Sequence, residues 1–330
     1  MLDEHLPRAV DVLSDLLLNP AFADEDIYRE QNVVVEEIKM VEDTPDDLVY
    51  ENFTTRFWPE HQLGKPILGT AESVRSFDAA ALRTYFSDAY TAQNVVIAAA
   101  GNIDHAAISE LVGNAFSALP VSSQSVETTK PTVKIQFEIR EKDLEQAHLC
   151  LGTRGYEHTH PDRHASYILN AVLGGSMSSR LFQKIREKRG LAYAVSSGLT
   201  SYRDVGSLTV YAGCDGGAVR QVIDLVVEEM ETLKQHPLAD IELQRAKDHL
   251  RGSFVLGQES TTSRMSQLAR SEMYFGRQID VAETLKAIDL VSQEDVQRVA
   301  CDLFQKGALA GTVVGPLTRA DVDASQLDLS

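Results

Sequence analysis

Three groups of residues have the types and spacing to do chemistry. The first is a set of carboxylates, Glu30, Glu36 and Glu37, inside a segment that reads as helix from Tyr28 to Met40. Glu30 and Glu37 stand two helical turns apart and share a face with Val33 and Val34. Carboxylates so placed can ligate a cation or orient a group that does; a solvated acidic stripe is the alternative that spacing leaves open. The second group is His158, His160 and His164 with Asp162 between them. His160-Pro161-Asp162 reads as a loop entering a helix and brings no glutamate base, so a plain surface loop is expected, with adventitious metal binding as the alternative. The third is Arg186 and Tyr193, seven apart at the end of a helix and the start of a strand. A guanidinium and a phenol there can donate hydrogen bonds to an oxyanion; a structural Arg and a core Tyr is the alternative. None of the 9 histidines stands in H-x-x-E-H or H-E-x-x-H.

The elements that must position these groups are legible from periodicity and punctuation. Leu6-Pro7 opens a helix that Asn19-Pro20 ends, Asp24 starts the next, and Thr44-Pro45 breaks it before a third, Asp46 to Trp58. Helices over 79–90 and 104–116 flank a strand-like run, Asn94-Val-Val-Ile-Ala-Ala-Ala-Gly101. Between Leu119 and Thr132 the composition shifts to Pro, Ser, Thr and Val, the one linker-like stretch. The expected division is therefore a first domain 1–122, a linker 123–133 and a second domain 134–330. In the second domain strands are expected over 133–139, 147–152, 192–200, 207–214 and 308–315. Helices are expected over 163–173, on through Lys188, over 217–235 and over 239–258. Gly174-Gly175 lacks a following GK[ST] and reads as a tight turn between helices, not a phosphate loop.

The two parts repeat one another. Phe22-Ala-Asp-Glu-Asp-Ile-Tyr-Arg29 resembles Pro237-Leu-Ala-Asp-Ile-Glu-Leu-Gln-Arg245, and each leads after 72 or 70 residues to an apolar run closing on glycine, at Gly101 and Gly315. Through this repeat Glu30 aligns with Ala246 and Glu37 with Ser253, so the second copy dispenses with both carboxylates. The second copy also has several strands ahead of its paired helices, whereas the first has none. The fold class expected is α+β: two homologous units of mixed or antiparallel sheet packed with helices. The first is expected to lack its N-terminal strands.

Long motifs in a fixed order carry a resemblance. Arg29-Glu30-Gln-Asn-Val-Val-Val-Glu36-Glu37-Ile-Lys-Met-Val-Glu-Asp-Thr-Pro45 resembles the signature that follows the active site in pitrilysin/insulinase-type zinc peptidases, a family that includes the mitochondrial processing peptidases and bacterial relatives. His61-Gln-Leu-Gly-Lys-Pro-Ile-Leu-Gly69, Leu173-Gly-Gly-Ser-Met-Ser-Ser-Arg-Leu-Phe182 through Tyr193, and Glu259-Ser-Thr-Thr-Ser-Arg-Met265-Ser266 extend it over essentially the whole chain. The resemblance implies a zinc endopeptidase that cuts extended peptides in a chamber between two domains. In that family an HxxEH helix gives two His ligands and a general-base Glu, and a later helix gives a third ligand, a Glu. Three ligands leave the fourth zinc position to a water whose pKa falls to about 7. By resemblance Glu37 is that third ligand, Glu30 the supporting carboxylate, and Arg186 and Tyr193 the pair that contacts substrate and polarises its scissile carbonyl. The HxxEH helix is not in these residues, so the first unit is expected to be truncated, zinc is not expected to be held by this chain, and the chain is expected to be inactive alone. A different reading is a non-catalytic peptide-binding subunit, in a homo- or heterodimer with an HxxEH-bearing homologue; the retained Glu30 and Glu37 count against it.

Net charge of −18 counts against a nucleic-acid or anionic-membrane partner. No apolar run approaches the ~18 residues that span a bilayer, and a soluble bacterial protein, cytoplasmic or periplasmic, is expected. Cys150, Cys214 and Cys301 are too few and too scattered for a disulfide framework.

Overall fold

Proline and acidic residues at helix starts shape the first third of the chain. The computed structural model describes residues 1–121, 129–318, 321–322 and 324–329. Helix α1 (Leu6–Leu18) carries Pro7 in its first turn, where a backbone donor is not needed. Helix α2 (Asp24–Asp43) opens on Asp24, Glu25 and Asp26, which complement its positive end. Helix α3 (Pro45–Phe57) again begins on proline. Helix α4 (Ala71–Ser76) starts in a Thr70/Ser73 capping box, and α5 (Ala79–Ala89) and α6 (His105–Ala115) are capped by the Asp78 and Asp104 carboxylates.

The run Asn94–Gly101, expected as a strand, has no regular structure. A strand exists through its ladder, and among the described residues no neighbouring strand pairs with this run, so Val96 and Ile97 stay exposed.

Every strand of the described sheet comes from after residue 136. They are β1 (Phe137–Glu141), β2 (Ala147–Gly155), β3 (Ala192–Ser201), β4 (Gly206–Cys214) and β5 (Ala310–Gly315), in the order β1-β5-β2-β4-β3. β1 runs parallel to β5 and the other pairs are antiparallel, a mixed sheet. Between and after the strands lie α7 (Arg163–Leu173), α8 (Val219–Gln235), α9 (Asp240–Gly257), α10 (Thr261–Phe275), α11 (Val281–Leu290) and α12 (Gln293–Leu303).

The chain forms two compact units. Unit 1 comprises Met1–Ile38, Leu68–Thr128 and Leu256–Gln278, and its described residues are helical or irregular. Unit 2 comprises Lys39–Ile67, Thr129–Val255 and Ile279–Ser330 and holds the sheet. Of the linker expected over 123–133, residues 123–128 lie outside the described residues.

Alternation along the strands of unit 2 builds two apolar faces. Leu149, Leu151, Leu208, Val210 and Val313 face the helices α7, α8 and α12, where Ile168, Leu169, Val222, Val226 and Val299 complete the larger core. The opposite face presents Cys150, Ala310 and Val314 to Leu48, Val49, Phe53 and Phe57 of α3. Burying four such side chains is worth roughly 1.5–3 kcal/mol each, which explains why residues 39–67 belong with a sheet formed much later in the chain. The Arg56–Glu138 ion pair at 2.6 Å and the Arg140–Glu42 ion pair tie the same segment to β1.

Candidate functional site

The seven-residue interval between Arg186 and Tyr193 is bridged by two departures from regular geometry. Residues Phe182–Glu187 form a π-helical turn, not the α-helix expected through Lys188. Leu181 and Ile185 are fully buried and anchor the turn in the core. The chain then reverses at Gly190, whose φ of 61° is the left-handed region glycine occupies without strain. Its N–H bonds the Arg186 carbonyl at 2.9 Å, and the Leu191 N–H bonds the Ile185 carbonyl at 3.0 Å. β3 then starts with a bulge: Ala192 pairs with Cys214 and Ala194 with Gly213, leaving Tyr193 as the extra residue.

These two irregularities bring the expected pair together and turn it outward. The Arg186 guanidinium carbon lies 5.3 Å from the centre of the Tyr193 ring and 4.9 Å from that of Phe182. A cation over two rings at such distances is attracted by their negative faces. Tyr193 is 76% exposed, so its hydroxyl faces solvent. Five N–H donors on a rigid plane and one phenol can bind a carbonyl or a carboxylate. Sequence reasoning found Arg186 and Tyr193 but missed Phe182, whose i,i+4 spacing to Arg186 is the signal that marked it.

A second layer supports the turn. Arg180 makes a two-pronged contact with Glu242 of α9, Nε to Oε1 at 2.7 Å and Nη2 to Oε2 at 2.6 Å, and approaches Glu229 of α8 at 3.6 Å. The hydrogen bonds to Glu242 raise the already high Arg180 pKa. Lys184 pairs with Glu229 at 2.6 Å and Glu228 at 3.0 Å. Burial works against the Lys184 charge, but the bonds it donates to Glu229 and Glu228 outweigh that and raise its pKa. Gly174, expected as part of a simple turn, also meets the β3 backbone. It accepts the Ser197 N–H at 3.0 Å, and a Cβ there would lie 2.6 Å from the Ser197 nitrogen.

Glu30 and Glu37 lie on α2 in unit 1, and both are exposed. The inward face of α2 is instead that of Gln31, Val35 and Ile38, with the Gln31 amide donating to the Val74 and Phe77 carbonyls at 3.2 and 2.8 Å. Val33 is exposed beside the carboxylates, so the face they share is not a core face. A zinc ion needs three protein ligands. Among the described residues no three His, Cys, Asp or Glu side chains lie together as a metal-holding group.

The histidine loop is built for structure. His160 stacks on Tyr156 at 3.8 Å between ring centres, and its Nδ1 accepts the Asp162 N–H at 3.1 Å. Asp162 in turn binds Arg298 of α12 through two hydrogen bonds of 2.5 and 2.9 Å. The pKa of His164 is pushed down to about 4, by burial first and by Arg163 second, and its Nδ1 has no hydrogen-bond partner.

Known proteins resemble this chain in sequence and in fold. Residues 1–71 match the family profile described as insulinase (peptidase family M16), and residues 76–250 match that of the peptidase M16 inactive domain. An uncharacterized zinc protease of Bacillus subtilis is 40% identical over 304 residues, 92% of this chain and 74% of its own length. An uncharacterized zinc protease of Streptomyces coelicolor is 37% identical over 99% of this chain and 72% of its own length. Among solved structures, a peptidase M16 inactive domain from Pseudomonas fluorescens superposes with a TM-score of 0.86 at 24% identity, covering 94% of this chain and 74% of its own. A protease from Helicobacter pylori gives a TM-score of 0.86 at 18% identity, covering 95% and 78%. Both structural likenesses concern the fold.

Proposed function

The chain belongs to the insulinase-type (M16) peptidase family, a family of zinc proteases, and from that premise we propose that it binds extended peptides through Arg186 and Tyr193 and does not by itself hydrolyse them. The observation that carries the reading is the exposed cation–π pair itself: two hydrogen-bond donors held in register by a π turn and a bulge, with nothing in the core requiring them to be polar. Peptide carbonyls and a terminal carboxylate are the acceptors such a pair suits. We assign Glu37 as one zinc ligand and Glu30 as its supporting carboxylate, in a site whose histidine ligands these 330 residues do not supply.

The test uses the pure chain, a zinc salt and an internally quenched peptide. The expected result is no zinc-dependent cleavage, with binding of a fluorescent peptide by anisotropy that weakens about tenfold in Arg186→Met, the loss of one charge-assisted contact. Zinc-dependent turnover that disappears in Glu37→Gln overturns the reading.

A second reading is a non-catalytic subunit that lends its Arg/Tyr pair to a catalytic partner. It is favoured by the match of residues 76–250 to the profile described as an inactive domain. It predicts co-purification with an H-x-x-E-H-bearing homologue, and a chain that stays alone at physiological concentration counts against it.

A further inference from the structure

The ions that hold the π turn have a geometry that invites a functional reading beyond the Arg186/Tyr193 pair. Arg180 precedes the turn Phe182–Glu187 and Lys184 lies within it. Arg180 reaches both α9 and α8, through Glu242 and Glu229, while Lys184 reaches α8, through Glu229 and Glu228. Glu229 is the shared partner and is itself 8% exposed. The inner side of the turn is fastened apolarly by Leu181 and Ile185, both fully buried. A π turn is rarer and looser than an α turn and persists where its surroundings over-determine it. Here the fastening is ionic at Arg180 and Lys184 and apolar at Leu181 and Ile185, while Arg186 meets Phe182 and Tyr193 and lies 3.9 Å from the Glu187 carboxylate at the exposed end of the turn.

We propose that Arg180 and Lys184, through Glu229 and Glu242, are positioning residues that set the register of the π turn and so fix the Arg186 guanidinium over the Tyr193 ring. A plain stabilising role predicts that loosening the network lowers stability and leaves the pair unchanged when the protein is folded. A positioning role predicts that the folded protein itself shows a displaced pair. The forked Arg180–Glu242 geometry matters for this, because two parallel N–H···O contacts define an angle as well as a distance. A neutral glutamine at 242 cannot accept both prongs.

The proposal rests on the peptide-binding reading only for its functional consequence, and its test separates the two. 3-Fluorotyrosine is introduced at position 193 alone, and its fluorine resonance is recorded for the folded chain, for Arg186→Met, for Glu242→Gln and for Glu242→Asp. The expected result is that Glu242→Gln moves the resonance toward that of Arg186→Met and that Glu242→Asp, which keeps the charge and both acceptors, moves it less. Peptide affinity is read in parallel. Glu242→Gln should weaken it about fivefold, and the double variant with Arg186→Met should be no weaker than Arg186→Met alone, since coupled residues are not additive. An unmoved resonance in folded Glu242→Gln overturns the proposal, as does a fully additive double variant. If wild type binds no peptide, the peptide-binding reading fails while the fluorine measurement still decides the positioning role. Lys184→Gln, on the α8 side of the same network, gives the same comparison should Glu242→Gln fail to fold.

Discussion

A Cβ added at Gly152 of β2 would stand 2.5 Å from Cζ of Phe53 on α3. The phenylalanine ring therefore rests directly on the strand backbone, and the closeness of α3 to the sheet depends on the missing side chain. Gly152→Ala is expected to force the helix outward and destabilise unit 2 by about 1–3 kcal/mol, the usual cost of overpacking. Phe53→Ala is expected to cost about 3–5 kcal/mol, because the ring is buried and stacks on Phe57 at 5.0 Å. Urea unfolding measures both. The double variant should cost less than the sum, since removing the ring at position 53 vacates the space that a methyl group at position 152 needs; strict additivity would show that the two do not touch.

How α3 reaches that sheet was not legible in the sequence. Leu48, Val49, Phe53 and Phe57 announce an apolar helix face by their spacing, but periodicity names no partner. The strands it lies on, β2 and β5, begin about 90 and more than 250 residues further along the chain. The five strands themselves were close to their observed bounds, because β-branched runs bounded by turns are local signals. Asn94–Gly101 carries the same signal and, among the described residues, forms no ladder, since pairing depends on a neighbour and not on the run itself. At the candidate site the residue types of Arg186 and Tyr193 were readable. What unites them, a bulge and a π turn, comes from register and packing, and no one-residue insertion in β3 announces itself by composition.

Tyr193 separates binding from folding. Its ring is mostly solvated, so Tyr193→Phe is expected to change stability by no more than about 0.5 kcal/mol. The same variant keeps the ring face that Arg186 sits over and removes only the hydroxyl. Peptide affinity is expected to fall about threefold to tenfold, the worth of one hydrogen bond, and Tyr193→Ala to weaken it further by removing the cation–π contact. Anisotropy titrations alongside thermal melts check this; a stability loss that parallels the affinity loss would make Tyr193 structural.

Helix α12 tests the local caps. The Ser292 hydroxyl accepts the Asp295 N–H at 3.1 Å while the Asp295 carboxylate accepts the Ser292 N–H at 2.9 Å. The bond from the Ser292 N–H, followed by the one from Arg298, holds Asp295 below the ordinary carboxylate range. Ser292→Ala is expected to cost about 1 kcal/mol, and more of the effect should appear in unfolding rate if α12 docks late. Ser292→Gly should cost less than Ser292→Ala, because glycine leaves the N-terminal donors open to water.

His164 makes acid stability a local question. Its pKa is lowered to about 4 by burial and by Arg163, against 6.5 for the free side chain. The unfolded chain therefore binds the proton more readily than the folded one between those values. Stability from this site is complete above about pH 6.5 and declines as pH falls toward 4. Allowing for solvent reaching part of the ring, the loss across that window should be about 1–2 kcal/mol. The carboxylates held low by partners, such as Asp162 beside Arg298, act in the same direction but at lower pH, where their protonation begins. Urea midpoints taken between pH 7 and 4.5 for wild type and His164→Gln separate the contributions. The variant should be less stable at pH 7 yet show a shallower decline over this range. An identical slope in both proteins would place the acid sensitivity elsewhere, because glutamine at 164 has no proton to take up.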